Sequence, residues 1–346
     1  MRSNLLANTI LVPLTLVMAL SLNRPQDTPH FLLLWWTGIA GGILGIYPIT
    51  REVAGPIGLK QWFRQSPAFW LLHLGGVLLA VAACFAMPSR FNWLVLVIGA
   101  VTLGLTLWLS FGLAVSLLCW LKVLVPPPER LQRVVTETAS RMNVNVRRVW
   151  LLHSVYGYAA ALLTSPDLIF SDRLLAALSD DEIAAVCAHE LGHLTESRSV
   201  VARRIRFSLA FFPFIFLKPV FALPGGWMML ALFCMLAWAI IMINNGRVLA
   251  RKMEERADAI GAENSLDAAT YARALERLYE INQSPAVMRT NKLPHPHLYD
   301  RLLAAGVTPA YDRPAPPDNK SWASVIIGMT CGVVLVLYLK SKNVFP

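Results

Sequence analysis

Charge is what this sequence has least of. Only 15% of its residues are Asp, Glu, Lys or Arg, against 56% hydrophobic, whereas about a quarter of a soluble domain is charged. So little polar surface excludes an ordinary water-soluble chain and leaves a polytopic membrane protein. Acidic residues are scarcer still, 21 against 31 basic ones. The basic excess is spread through loops with no aromatic-interleaved patch, which excludes a nucleic-acid surface and fits basic loops on the inner side of a membrane. Cysteine offers no staples. Cys84, Cys119, Cys234 and Cys331 stand in apolar stretches, Cys187 stands alone in a polar block, and no CxxC spacing exists. Disulfides and a cysteine metal site are therefore not expected, and packing is their role.

Long hydrophobic runs are abundant. Seven are read as spans: Leu5 to Leu22, Phe31 to Ile49, Ala68 to Met87, Phe91 to Val125, Phe207 to Leu223, Trp227 to Asn244 and Ser321 to Leu339. With the N-terminus inside, the outer loops and the tail hold only Arg24, Arg90, Lys218, Lys340 and Lys342. The positive-inside rule then puts the polar blocks 126–206 and 246–320 in the cytoplasm. Arg2 and Ala19-Leu20-Ser21 suggest a cleaved signal. The run between them is long for one, and its removal would spoil the parity, so it is read as the first span. His73, alone in the third span, reads as a packed imidazole. The fourth run, Phe91 to Val125, is about 52 Å long as helix against a hydrocarbon core of about 30 Å. It either projects from the membrane or breaks near Ser110-Phe111-Gly112, and projection is expected because one crossing preserves the charge asymmetry.

Pro126-Pro127-Pro128 ends the apolar character. Glu129 to Asn143 reads as an amphipathic helix with Leu131, Val134, Val135, Thr138 and Met142 on one side; Val144 to Leu152, Tyr156 to Leu163 and Leu168 to Ser171 read as strands. Ser179-Asp180-Asp181-Glu182 fits a capping box. The helix it opens carries His189-Glu190-Leu191-Gly192-His193, an HExxH pattern that arises by chance in roughly one chain in two hundred of this composition. Residues i and i+4 share a helix face, so His189 and His193 both reach one metal ion with Glu190 beside it. Zinc requires at least a third protein ligand. Glu254 and Asp258 are again i and i+4, on a face with Ala250, Ala257 and Gly261, while Arg247, Arg251 and Glu255 form a solvated row. That face makes Glu254 the candidate third ligand and Asp258 an acceptor that orients a ligand imidazole.

The order HELGH, then Glu254-Glu255-Arg256-Ala257-Asp258, then His295-Pro296 with Arg301 five residues on, resembles a membrane zinc endopeptidase family. Its members include the type I CAAX prenyl protease and the heat-shock protease HtpX, gluzincins with HExxH, a membrane hairpin, an ExxxD helix and an HP element. The match runs from about Val144 to Leu302. The resemblance implies a mainly α-helical polytopic membrane protein of about seven transmembrane helices with a cytoplasmic α+β zincin-like catalytic domain. Its parts would be four spans (1–125), a catalytic part with the sheet and the HExxH helix (126–206), a hairpin (207–245), a second catalytic part (246–320) and a last span with a short tail (321–346). It further implies one Zn2+ on His189, His193 and Glu254 rather than Glu255, Glu190 as catalytic base, and His295 and Arg301 near the substrate or the tetrahedral intermediate.

Substrate backbone is expected to pair with an edge strand at Tyr158, Ala159, Ala160 and Ala161. Two positions depart from the family: His297, where an apolar residue is usual, and Gly157-Tyr158-Ala159-Ala160-Ala161, where Asn-Ala commonly precedes an aromatic. The expected partners are a peptide or membrane-protein substrate and the lipid bilayer, with no nucleic acid. The expected place is a bacterial inner membrane, crossed several times, with the catalytic part cytoplasmic. Three rivals fit less well. An intramembrane site-two-type protease has its HExxH inside an apolar span, whereas Asp180, Asp181, Glu182, Glu196 and Arg198 bracket this one. A receptor-type peptidase predicts a sensor domain after the last span, and this chain ends at Pro346. A proteolytically inactive scaffold has no use for Glu190.

Overall fold

The computed structural model describes residues 47, 50–51, 57–69, 72, 75–287 and 296–316. The expected spans Leu5 to Leu22 and Ser321 to Leu339, all of Phe31 to Ile49 except Tyr47, and the residues His73, His295 and Cys331 lie outside the described residues. The chain divides into two units, 1–62 with 316–346, and 63–315. In the first, Tyr47 donates to the Ile57 carbonyl at 2.7 Å, Trp62 Nε1 donates to Thr50 Oγ1 at 3.0 Å, and the two rings meet edge to face. Helix α1 is Leu59–Phe69.

The second unit opens with two apolar helices, α2 (Gly75–Ala86) and α3 (Trp93–Trp108), the latter capped by Asn92 accepting from the Val95 N–H. The long fourth run does not stay one straight helix. A π-turn at Leu109–Leu113 interrupts it, with Gly112 at φ +118°, a conformation open to glycine because no Cβ obstructs it. Helix α4 (Ala114–Trp120) follows, and Leu124–Val125 pair as strand β1. Val115 and Leu118 of α4 are buried with Leu124, Leu152 and Ile169. The run thus breaks where Ser110-Phe111-Gly112 allowed it to, and its far end packs under a sheet in place of the expected unbroken projection. The freed Ser110 carbonyl accepts a hydrogen bond from Thr164 Oγ1.

Helix α5 (Glu129–Arg141) buries Leu131, Val134, Val135 and Thr138, the stripe its periodicity predicts. The sheet adds β2 (Arg148–Leu152), β3 (Ala159–Leu162) and β4 (Asp167–Ser171), in the order β1-β2-β4-β3. β4 is buried along its whole length, parallel to β2 and antiparallel to β3, so that Ile169 faces Trp150 on one side and Ala160 on the other. β2 and β3 are shorter than the runs expected for them, because 144–147 and 156–158 are loop. β3 is an edge strand, and β1, two residues with no alternation to betray it, is the strand the sequence reading missed.

Helix α6 (Asp172–Ala177) leads into α7 (Asp180–Leu194), the HExxH helix. Ser179 Oγ accepts from the Glu182 N–H while the Glu182 carboxylate accepts from the Ser179 N–H, a complete capping box. α7 is buried on almost every side. Val186 and Leu191 join Leu131, Phe170 and Leu174 in the main core, and Ala185 on the opposite side meets Tyr271, Leu275, Leu298 and Leu302. Burying a side chain such as Leu191 contributes about 1.5–3 kcal/mol.

The expected span Phe207 to Leu223 is not one helix. It comprises the end of α8 (Arg198–Ser208), a 3-10 turn at Phe212–Phe216 and the short α9 (Leu217–Phe221). Pro213 and Pro219 lack the N–H that a continuous ladder needs there. Helix α10 (Gly225–Glu263) then runs 39 residues. Its first part carries bare apolar side chains such as Trp227, Phe233 and Ile241. Two helices among the described residues, Trp93–Trp120 and Gly225–Glu263, are long and apolar enough to cross a membrane. α11 (Ala268–Ile281) and α12 (Leu298–Ala304) complete a mostly helical structure with a small mixed sheet.

Candidate metal centre

α7 and the second half of α10 pack side by side, and the contact is close because two glycines permit it. A Cβ on Gly192 would lie 3.3 Å from Ile260 and 3.4 Å from the Ala257 Cα; one on Gly261 would lie 2.8 Å from the Tyr271 ring and 3.2 Å from His189 Cβ. At that seam His189, His193 and Glu254 each offer a ligand atom, all within 4.8 Å of one another. His189 Nε2 is 3.5 Å from Glu254 Oε2 and His193 Nε2 is 3.6 Å from Glu254 Oε1.

The donor set fits a metal ion. Two imidazoles and a carboxylate, all but excluded from water, face one centre, and a cation there, a proton or a metal ion, offsets the buried carboxylate. The electrostatics point the same way. Burial opposes charge on His189, yet the carboxylates of Asp258 and Glu254 outweigh it and push its pKa up to about 9. The cluster thus draws positive charge into its centre. His193, by contrast, is held down to about 4, by burial first and then by repulsion from His189.

The next ring of contacts fixes His189. Its Nδ1 lies 3.0 Å from Asp258 Oδ1 and 3.0 Å from the Tyr271 hydroxyl, which itself donates to Asp258 Oδ1 at 2.7 Å. A proton held on Nδ1 leaves Nε2 with its lone pair toward the centre. Arg301 donates two parallel hydrogen bonds to Asp258, Nε to Oδ2 at 2.8 Å and Nη2 to Oδ1 at 2.6 Å. Asp258 is buried, which favours its neutral form, but His189 and Arg301 hold its carboxyl well below the usual range. Burial likewise opposes the Arg301 charge, and Asp258 sustains it.

The sequence-predicted residues are thus placed as follows. His189, His193 and Glu254 converge, and Glu190 is buried on the same helix, near enough to Tyr158 to help burial raise its phenol pKa. Asp258 stands behind His189. Arg301, expected beside the substrate, has its guanidinium turned onto Asp258 and only 6% exposed. His295 lies outside the described residues, and His297 is a buried residue at the N-cap of α12. Tyr158 and Ala159 to Ala161 lie at the edge of the sheet, with Ala159 and Ala161 against the main core that α7 shares. The loop before β3 is held by Asn282, whose side-chain amide pairs with both the N–H and the carbonyl of Gly157 at 2.9 and 2.8 Å.

Two functional neighbours escaped sequence reasoning. Tyr271 sits in an ordinary amphipathic helix and only tertiary contact brings it to His189. Arg256, inside the ExxxD segment, donates to the Gly192 carbonyl and Thr195 Oγ1 and so caps the C-terminal end of α7. The ExxxD signal was there to read, but its Arg points at a helix end that the sequence does not locate.

A capped HExxH helix over a small sheet, with a carboxylate from a second helix facing its two imidazoles, is an arrangement that could hold a metal ion as a metallopeptidase does. The chain belongs to peptidase family M48, whose family model matches residues 127–306. This is the family of the CAAX protease Ste24 and of HtpX, and its members are zinc metallopeptidases. No curated protein matches the chain significantly.

Proposed function

We propose that the protein is an integral-membrane zinc endopeptidase acting on membrane-associated proteins or peptides. The observation that carries this reading is the convergence of two imidazoles and a carboxylate beside Glu190, next to an edge strand. His189, His193 and Glu254 would hold one zinc ion, which when bound supplies the Lewis acidity that brings the pKa of water toward about 7. Glu190 takes the proton from the attacking water and hands it to the leaving amine. Asp258 and Tyr271 keep the proton of His189 on Nδ1, and Arg301 keeps Asp258 ionised, so Arg301 acts here as a positioning residue. Substrate backbone pairs with β3, an edge strand among the described residues, a mode in which main-chain hydrogen bonds give affinity and sequence selectivity is loose.

The membrane reading rests on the seven apolar runs and on the placing of basic residues, which put the catalytic part in the cytoplasm. A bacterial inner membrane is the setting that suits it.

Purified protein with zinc is expected to cleave unstructured peptides, and Glu190→Gln to retain the metal while losing about three orders of magnitude in kcat or more. A Glu190→Gln protein with wild-type turnover sinks the assignment. Membranes containing either form, compared by identification of new protein termini, report the substrate class; termini clustered beside membrane spans support action on membrane proteins.

A further inference from the structure

Beside the edge strand lies a cavity of about 470 Å³. Its walls are β3 with the loop after it, the π-turn region of the α3–α4 helix, the start of α2, and α8 with Ile243 of α10. Its lining is apolar or hydroxylic except at one residue, Arg204, which is the sole charge among the described residues that form it. Arg204 is exposed, and among the described residues it makes no hydrogen bond or ion pair. An arginine carries five donors in a fork that matches a carboxylate, and the described lining of this cavity offers it no acid.

The register of β3 directs what enters. Successive side chains alternate across a strand. Ala159 and Ala161 meet the main core, while Tyr158 and Leu162 turn to the cluster under the membrane-side helices. Ala160 shares their parity, and its single methyl leaves the room that the cavity occupies. A peptide paired with β3 would send every second side chain toward that volume.

We infer that Arg204 is a specificity-determining residue that binds a carboxylate of the substrate, on the cavity side of a peptide paired with β3. The carboxylate is either an Asp or Glu side chain or the free C-terminus of the chain. This rests on the peptidase reading above and adds a preference to an otherwise loose strand-pairing mode.

The test uses the full-length zinc protein in neutral detergent and a set of quenched-fluorescence decapeptides. Asp, Asn or Lys is scanned through each position, and each peptide is made with a free and an amidated C-terminus. Wild type is expected to cleave peptides with Asp at one position, or at two of the same parity, about tenfold to a hundredfold faster in kcat/KM than their Asn counterparts, the range of one charge-assisted hydrogen-bonded pair. If the chain end is the source, the same ratio appears between free-acid and amidated peptides. Arg204→Gln brings the ratio to about one, chiefly through KM, and Arg204→Glu transfers the preference to Lys. A wild type that treats Asp, Asn, free and amidated peptides alike overturns the inference and leaves the peptidase standing. So does an Arg204→Gln that lowers kcat equally on every peptide, which would assign Arg204 to the reacting carbonyl. A wild type that cleaves nothing defeats the peptidase reading first, and this inference with it.

Discussion

The two helices that hold the candidate metal ligands are built in opposite ways. α7 is short, opens with a capping box, is capped at its far end by Arg256, and is buried on nearly every side. α10 is 39 residues long, with no side-chain hydrogen bond at its N-cap and with bare apolar surface along its first half. α7 is therefore placed by local signals and a core around it. The ligand-bearing end of α10 is placed only by what it touches: Gly192 and Gly261 at the seam, and the Asp258–Arg301 pair behind it. A membrane-style helix can thus serve a soluble-style site, provided that its last turns are anchored by tertiary contacts.

The comparison can be broken from the α10 side with the largest effect. Glu254→Gln removes the one anionic donor of the candidate ligand set, and zinc affinity is expected to fall more than about a hundredfold. Metal content after dialysis against a weak chelator measures it; full retention would mean that Glu254 is no ligand.

Arg301→Ala strips a buried Asp258 of its two-bonded cationic partner and leaves it, among the described residues, only His189 and Tyr271, at an expected cost of about 3 kcal/mol. Denaturant unfolding of the detergent-solubilised protein reads this, and a loss under about 1 kcal/mol would show that α10 is anchored elsewhere. The pH dependence sharpens the point. Because the folded-state pKa of Asp258 is depressed, the stability it contributes is present above the unfolded value near 3.9 and is lost as pH falls through the lower folded one. Arg301→Ala is expected to flatten that acid limb.

Gly261→Ala tests the seam. Its Cβ would stand 2.8 Å from a Tyr271 ring whose hydroxyl is tied to Asp258, so neither partner yields freely. A loss of about 1–3 kcal/mol is expected, together with weaker zinc binding because His189 is touched too. An unchanged melting temperature would show that the helices stand further apart. On the α7 side, Ser179→Ala removes one local signal and is expected to cost only about 1 kcal/mol without altering zinc affinity. Hydrogen exchange at the first turn of α7 should rise while that of the HExxH turn stays slow, since the core holds what the cap no longer does.

The same division explains what was legible in the sequence. HELGH, the Ser179 capping box and the Glu254–Asp258 face depend on spacing along one helix, and spacing is a property of the chain alone. The amphipathic α5 and the buried β4 follow from apolar periodicity. The break in the fourth apolar run was visible at Ser110-Phe111-Gly112, but the charge count favoured an unbroken helix. The apolar face of the sheet, which gives the far end of that helix something to pack on, was not visible at all. The span expected at Phe207 to Leu223 read as one helix by hydropathy, a measure to which the two prolines contribute little.

By itself the sequence determined the ligand types, their i and i+4 spacing, the start of the HExxH helix and the scarcity of polar surface, because each depends on neighbours within a few residues. Tertiary structure alone decided that Tyr271 completes the support of His189, that Arg301 faces Asp258, and that β3 is an edge strand beside a cavity whose one charge, among the described residues, is Arg204. Those depend on which surfaces meet across tens of residues of chain, and in that meeting Gly192 and Gly261 set the distance: Gly261 was visible on the small-residue face of its helix, but the surface it would meet was not.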